Sequence, residues 1–279
     1  VTIADHRVLQ GSTPTIGVEW RDQEGDPIEP TGTVTVHVVD LAGADVVAAG
    51  TATVTPTESP TARTVALPRV AELDLLTATW SEVDGATWTT TIEVVGGFYA
   101  GIQAVRASDA TLADEEKYPA WEIVRARRAV EDEFERIIGH ALVPRIARYT
   151  EAGARHSVVL PHLEVRDVRT LTIAGATAAP LAVHHGAGVI TIGTGGDLDV
   201  IYTQGFDRPT AEALEAFYLR VRDVLNRSKR GVADRTTTFT SELGGTYSLA
   251  VAGRGGSLTG IPDVDVVLRG LARKTPGMA

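Results

Sequence analysis

Short runs rich in threonine and valine, each closed by turn-forming residues, recur through the first third of the chain. Segments 15–20, 33–39, 46–54, 62–67, 75–80 and 87–95 alternate apolar and polar side chains with a period of two. β-Branched residues suit a pleated, half-buried surface. Glu24-Gly25-Asp26-Pro27, Pro30-Thr31-Gly32, Ala42-Gly43, Pro56, Pro60 and Asp84-Gly85 punctuate the runs. The Asp-Gly between Trp80 and Trp88 is a hairpin signal. This pattern predicts an all-β, immunoglobulin-like sandwich over 1–97, with Gly96-Gly97 as the hinge that ends it. Trp20, Trp80 and Trp88 then have two possible uses. Core packing is the first; a sugar-binding face is the second.

The pattern changes after residue 97. Ser108-Asp109 can cap a short helical turn over 111–117. Pro119 opens a longer helix, 119–138, in which Ile123, Val130, Phe134 and Ile137, with Ala120 and Val124 beside them, form the apolar stripe. Gly139 closes it. Strand-like segments follow at 145–150, 157–160, 165–173, 181–183, 188–192 and 197–203, with Gly193-Thr194-Gly195-Gly196 as a hairpin turn. A second long helix opens near Pro209. Its stripe is Leu214, Phe217, Tyr218, Val221, Val224 and Leu225, and Gly231 closes it. An extended stretch over 236–251 has Gly244-Gly245 at its tip, and Pro262 opens a last short helix. The fold class expected is therefore multidomain. A sandwich domain, 1–97, is followed by an α+β domain, 98–279, with two long helices and a β-rich insertion.

Charge divides the chain in the same place. The whole has 26 basic and 36 acidic residues, a net charge of −10. Residues 1–97 contain only Arg7, Arg21, Arg63 and Arg69 against fourteen acids, so the net charge lies there and 98–279 is balanced. An acidic sandwich lacks the basic face that neutralises phosphates, which argues against a nucleic-acid grip by this part. No cysteine is present, which excludes a disulfide scaffold, a cysteine-bound zinc and a thiol nucleophile. No apolar run reaches the roughly 18–20 residues that span a membrane, and 1–11 lack the charge and apolar pattern of a signal peptide.

Catalytic spellings are missing as well. The seven histidines form no zinc-binding spacing, and the adjacent His184-His185 point to opposite faces of a strand. There is no Gly-x-Ser-x-Gly elbow and no phosphate-binding loop. The expectation is a protein that is not an enzyme and takes no metal or cofactor. One feature of the first long helix is unusual. Arg125, Arg127 and Arg128 sit in its middle, and Glu131, Asp132, Glu133 and Glu135 near its C-terminal end, where acids oppose the helix dipole. Two explanations remain open: a solvated face laced by i,i+4 pairs such as Arg127–Glu131 and Arg128–Asp132, or a charged strip that meets a neighbouring subunit.

Four phrases in order give 98–279 a family likeness. The helix 120–139 runs into "IGHALVPR" (138–145). "VVLPHLEVRDVRTLTIAG" (158–175) and "DLDVIYTQGFDRP" (197–209) follow, and "GIPDVDVVLRGLAR" (260–273) comes last. Together they resemble the head–tail connector (adaptor) family of tailed bacteriophages, over about 180 residues. The simplest members of that family lack a counterpart of 1–97. The resemblance implies a structural virion protein of the neck. It would form a homo-oligomeric ring, usually twelve-fold, that docks on the portal protein, extends the DNA channel and presents a platform for the next neck or tail protein. DNA would pass through without sequence-specific binding. On this resemblance the helix face with Arg125, Arg128, Asp132 and Glu135 joins subunits, and Leu268, Leu271, Arg273 and Lys274 reach the portal. The competing expectation is a virion surface or glycan-binding protein in which the sandwich is the active module.

Overall fold

The computed structural model describes residues 5–22, 24–50, 54–56, 59–82, 85–227, 229, 238–240, 246–248 and 258–272. They fall into two compact units. The first holds the described residues of Val1–Gly97, Val143–Leu160 and Glu164–Gly205; the second holds those of Phe98–Leu142, Pro161–Leu163 and Phe206–Ala279. The units do not coincide with the segments 1–97 and 98–279, because the chain returns to the first unit at Val143.

The first 97 residues make a two-sheet β-sandwich. Its strands are β1 (His6–Leu9), β2 (Thr15–Glu19), β3 (Val34–Val39), β4 (Asp45–Val47), β5 (Thr55–Pro56), β6 (Ala62–Ala66), β7 (Asp74–Glu82) and β8 (Thr87–Val95). One sheet has the order β1-β8-β7-β3-β4, and the other β2-β6-β5. The β1–β8 pair is parallel, with His6 opposite Ile92 and Leu9 opposite Val95. Burial in β7 alternates from Asp74 to Ser81, as period-two patterning requires of a strand with one face on a core. That core gathers Ile16, Trp20, Val36, Val38, Leu76, Trp80, Ile92 and Val94. Of the predicted strand over 46–54, the start falls in β4, residues 48–50 are not strand, and residues 51–53 lie outside the described residues. The expected hairpin tip at Asp84 lies partly outside the described residues, but β7 and β8 do pair in register from Asp74–Val94 to Ser81–Thr87.

The rest of the first unit is a second β-structure. It is built from β9 (Arg145–Ala154), β10 (Ser157–Val159), β11 (Val165–Ile173), β12 (Ala176–Thr177), β13 (Ala182–His184), β14 (Val189–Thr191) and β15 (Gly196–Gln204). A four-stranded sheet, β12-β11-β15-β9, and a three-stranded one, β10-β14-β13, enclose their own core of Val158, Leu171, Ile190, Val200 and Tyr202. Gly193–Gly196 therefore does not turn a hairpin. It carries the chain from the small sheet to the large one.

Several contacts tie this structure to the sandwich, among them an ion pair of Arg145 with Glu93 at 3.6 Å. Arg169 donates to Leu73 O at 2.9 Å and pairs with Glu72. Gly96 N donates to Pro144 O at 3.0 Å. A side chain at Gly96 would put its Cβ 2.7 Å from the Pro144 Cβ, so the glycine is required by close approach.

Helices make up most of the second unit: α1 (Ile102–Ala107), α2 (Ala120–Ile138), α3 (Ala211–Arg227) and α4 (Pro262–Leu271), with a 3-10 turn at Ala110–Ala113. A small hairpin pairs β16 (Thr238–Thr240) with β17 (Thr246–Ser248). Gly231 and the Gly244-Gly245 tip lie outside the described residues. Gly139 ends α2 in the left-handed region at φ 79°, donating its N–H to Glu135 O. α2, α3 and α4 pack on one another around Phe134, Phe217, Val221 and Leu268. Asp109 caps the 3-10 turn. Its carboxylate accepts from Thr111 N at 2.9 Å and Thr111 Oγ1 at 2.7 Å, and Arg222 of α3 reaches it at 3.0 Å.

Two outcomes follow from these contacts. Gly96→Ala should destabilise the first unit by about 1–3 kcal/mol, the usual cost of forcing a methyl into a filled site; chemical unfolding followed by tryptophan emission measures it. The bonds from Thr111, then the Arg222 guanidinium, lower the Asp109 pKa from 3.8 to about 2. A lowered folded-state value means the contribution is complete above the unfolded value and is lost as pH falls through about 2. Asp109→Asn should therefore be less stable than the parent at neutral pH, with the gap closing across the window from 4 to 2. Thermal melts across that range test it.

Candidate functional site

The long helix α2 is the element on which the sequence concentrates unusual charge, and its two sides have different tasks. Ile123, Ala126, Val130, Phe134 and Ile138 form the apolar part of the inner side. Arg127 and Glu131 belong to that inner side too, at 7% and 0% exposure. Glu131 accepts the backbone N–H of Tyr99 at 2.9 Å. Arg127 donates to Ala100 O at 3.3 Å and lies 3.7 Å over the Phe98 ring. A solvated i,i+4 pair was the simplest sequence reading of these two residues. In the fold they hold segment 98–100 against the helix, satisfying backbone groups that burial would otherwise leave unpaired. Val124, expected beside the apolar stripe, is exposed instead.

The remaining α2 acids divide between inside and outside. Glu133 takes two bonds from Arg220 of α3, at 2.7 and 2.9 Å, and Arg220 also donates to Asp223 at 2.8 Å. The Arg220 side chain is 6% exposed and that of Glu133 16%. At the other end of α2, Glu122 pairs with Lys229 at 3.0 Å, and the same ammonium sits 3.9 Å over the Tyr118 ring. Tyr118 in turn donates to Asn226 Oδ1 at 2.5 Å. Of the acids that oppose the α2 dipole, Glu133 is thus neutralised within the chain, by Arg220 of α3.

Arg125, Arg128, Asp132 and Glu135 do come together on one side of α2. Arg125 is exposed and lies 5.4 Å from the Trp121 ring. Arg128, Asp132 and Glu135 are half-buried, and Glu135 accepts from Tyr99 Oη at 3.4 Å. Trp121, 63% exposed, belongs to the same side. Sequence reasoning missed it because an indole one residue into a helix reads as core. Its spacing of four from Arg125 was the available signal.

The C-terminal set fares differently. Leu268 is fully buried in its own unit, and Leu271 half-buried. Leu268 therefore fills the helix core and is not a docking residue on the folded chain. Arg273 and Lys274 lie outside the described residues. On α4 the exposed apolar side chain is Val266, at 67%. Asp265 is buried and accepts from Leu258 N, Thr259 N and Thr259 Oγ1, fixing the turn that enters α4.

The indoles of the sandwich are not a sugar platform. Trp20 and Trp80 are fully buried, and Trp80 Nε1 donates to Thr90 Oγ1 at 3.0 Å; Trp88 packs against the same core. An open cleft of about 590 Å³ near the start of α2 is lined by Ile102, Arg106, Pro119 and Arg127. Arg106 there is committed to the carbonyls of Leu112 and Tyr118, both at 2.9 Å. Among the described residues no group of three or more metal-ligating side chains occurs, and no helix is long and apolar enough to cross a membrane.

No protein-family model matches the chain, and no curated protein is significantly similar to it. Solved structures give partial likenesses. The Lin-41 filamin domain is 21% identical, with a TM-score of 0.26, over 35% of this chain and 90% of that one. A chain from the neck of a native GTA particle is 17% identical, with a TM-score of 0.36, over 49% of this chain and 86% of that one. An immunoglobulin domain of the ZIG-8–RIG-5 heterodimer is 12% identical, with a TM-score of 0.23, over 32% and 80%.

The Arg220–Glu133 grip generates a prediction. Arg220→Ala leaves Glu133 and Asp223 without their shared cation. It should cost about 2–3 kcal/mol, between the values for exposed and buried pairs. Among the described residues all four α-helices lie in the second unit, while Trp20, Trp80 and Trp88 lie in the first. The loss should therefore show in the helical circular dichroism transition and leave the main tryptophan emission transition in place.

Proposed function

We propose that the chain is a structural neck protein of a tailed phage, a ring-forming head-to-tail adaptor with an added β-sandwich. The observation that carries this reading is the order of the four connector-like phrases together with the elements they occupy. "IGHALVPR" spans the end of α2 and the start of β9. "VVLPHLEVRDVRTLTIAG" covers β11, and "DLDVIYTQGFDRP" runs from β15 to the entry of α3. "GIPDVDVVLRGLAR" contains α4. The three mutually packed helices α2, α3 and α4 are the part of such a protein that carries the charged side of α2.

On this reading the role is assembly, without catalysis or a cofactor. The ring docks on the portal, DNA slides through its channel, and the next neck or tail protein docks below. The side of α2 with Arg125, Arg128, Asp132 and Glu135 is the subunit joint. The tail after α4, with Arg273 and Lys274, reaches the portal. A sliding duplex is served by balanced charge, because phosphate contacts hold DNA; residues 98–279 have that balance.

Negative-stain imaging of the full chain mixed with a portal ring from the same source tests the proposal. A collar of regular stoichiometry on the portal is expected. Deletion of 273–279 should abolish the collar while leaving the helical spectrum intact. A full chain that ignores the portal would overturn the adaptor reading.

A further inference from the structure

Six residues of α2 and its cap follow one another at alternating steps of four and three: Trp121, Arg125, Arg128, Asp132, Glu135 and Gly139. This is heptad spacing, which lets a second helix lie along the first. None of the six belongs to the buried set of α2. Their order is complementary about Val130. Arg128 and Asp132 flank that level at equal distance; so do Arg125 and Glu135, and so do Trp121 and Gly139.

We propose that this seam pairs with the same seam of a second copy, antiparallel, about a two-fold axis at the level of Val130. Each Arg125 then faces Glu135 of the other copy, and each Arg128 faces Asp132. Both matches occur twice because the contact is isologous. A parallel arrangement sets arginine against arginine and acid against acid, so the charges select one direction and one register. At either end the Trp121 indole lies over Gly139 of the other copy. That glycine is exposed, and a Cβ built on it meets nothing within 4 Å, so there is room for the ring. The Arg125 guanidinium, 5.4 Å from the Trp121 ring, presents the indole beside the seam.

Arg128, Asp132 and Glu135 also have interactions within their own chain. A guanidinium has more donors, and a carboxylate more lone pairs, than one partner uses, so the cross-copy pairs add to these. Exposed ion pairs contribute little each. The charges fix the register, and the two indoles anchor the contact.

This pairing belongs to the free chain and does not rest on the adaptor reading, though it uses the same face. A head-to-tail ring cannot use that face while the two-fold contact holds, so assembly on a portal would have to open the dimer.

Sedimentation velocity of the free full chain is the test. A dimer that weakens with salt is expected. The all-acidic seam R125E/R128E and the all-basic seam D132R/E135R should each be monomeric, and an equimolar mixture of the two should sediment as a heterodimer. Trp121→Ala should weaken the parent dimer by about tenfold or more. The chain has no cysteine, so register can be read by cross-linking without background. Under oxidation, Arg125→Cys mixed with Glu135→Cys should yield the mixed disulfide in preference to either homodimer. A monomeric parent at high concentration, charge variants that still self-associate while folded, or a mixture that stays monomeric would overturn the proposal. The mixed disulfide decides the case if the charge variants fail to fold. Monomeric charge variants that still collect on a portal ring would support the dimer and move the ring joint to another face. A parent dimer that ignores the portal would leave the seam intact and remove the adaptor reading.

Discussion

The grip of Arg220 on Glu133 fixes the roll of α2 against α3, and much of the second unit follows from that roll. A helix packed only through apolar side chains can rotate by part of a turn at small cost, since neighbouring residues of the stripe can exchange places. Two hydrogen bonds from one guanidinium to one carboxylate do not tolerate such rotation. With Glu133 held at the side of the interface, Phe134 and Val130 point inward, and Glu131 meets the Tyr99 amide. Arg125, Trp121 and Asp132 are left on the outside. The same rotation that builds the core therefore selects which side of α2 stays out of its buried set.

Charge on α2 has three uses, and only one is directed outward. Arg127 and Glu131 replace water for the backbone of 98–100. Glu122 and Glu133 bind basic residues at or just beyond α3. Arg125, Arg128, Asp132 and Glu135 share one side of the helix, where Arg125 is exposed and the other three are half-buried. Burying Glu131 is tolerable because a carboxylate that accepts a backbone N–H in a dry site both satisfies that donor and is itself partly compensated. Acids near the C-terminal end of a helix are locally unfavourable. Here tertiary partners outweigh that local cost for Glu133, so the arrangement is intelligible only in the folded chain.

Long elements were legible in the sequence. The stripe and the terminal Gly139 give α2 to within a residue, and the β-branched run 165–173 gives β11 with its observed ends, although steps of three between Val165, Val168 and Leu171 break the alternation where the pairing with β15 shifts register. The strands of the sandwich were legible because one-sided burial imposes a period of two. What was missed depends on partners distant in the chain. β1 has four residues and exists through its pairing with β8. α1 has six residues and no apolar stripe of its own. The burial of Arg127 and Glu131 was hidden because an i,i+4 pair of opposite charges has the same spelling whether it faces solvent or the backbone of another segment. Leu268 was assigned to docking on the family resemblance, whereas the apolar spacing of α4 assigns it to the core. The exposed Trp121 was hidden by composition, since an indole is more often inside than out.

The parallel pairing of β1 with β8 has a mechanical consequence. The strand that enters the sandwich lies beside the strand that leaves it, and both run in the same direction, from His6–Ile92 to Leu9–Val95. Tension applied before His6 and after Val95 would act along the strands. The inter-strand bonds would then be loaded together, in shear, and would not open one at a time from an end. Asp5 N to Thr91 O and Gln10 N to Val95 O extend the same ladder on either side. A sandwich joined in this way resists stretching along the chain better than one whose first and last strands are antiparallel neighbours, and it can carry load between whatever it is attached to at its two ends.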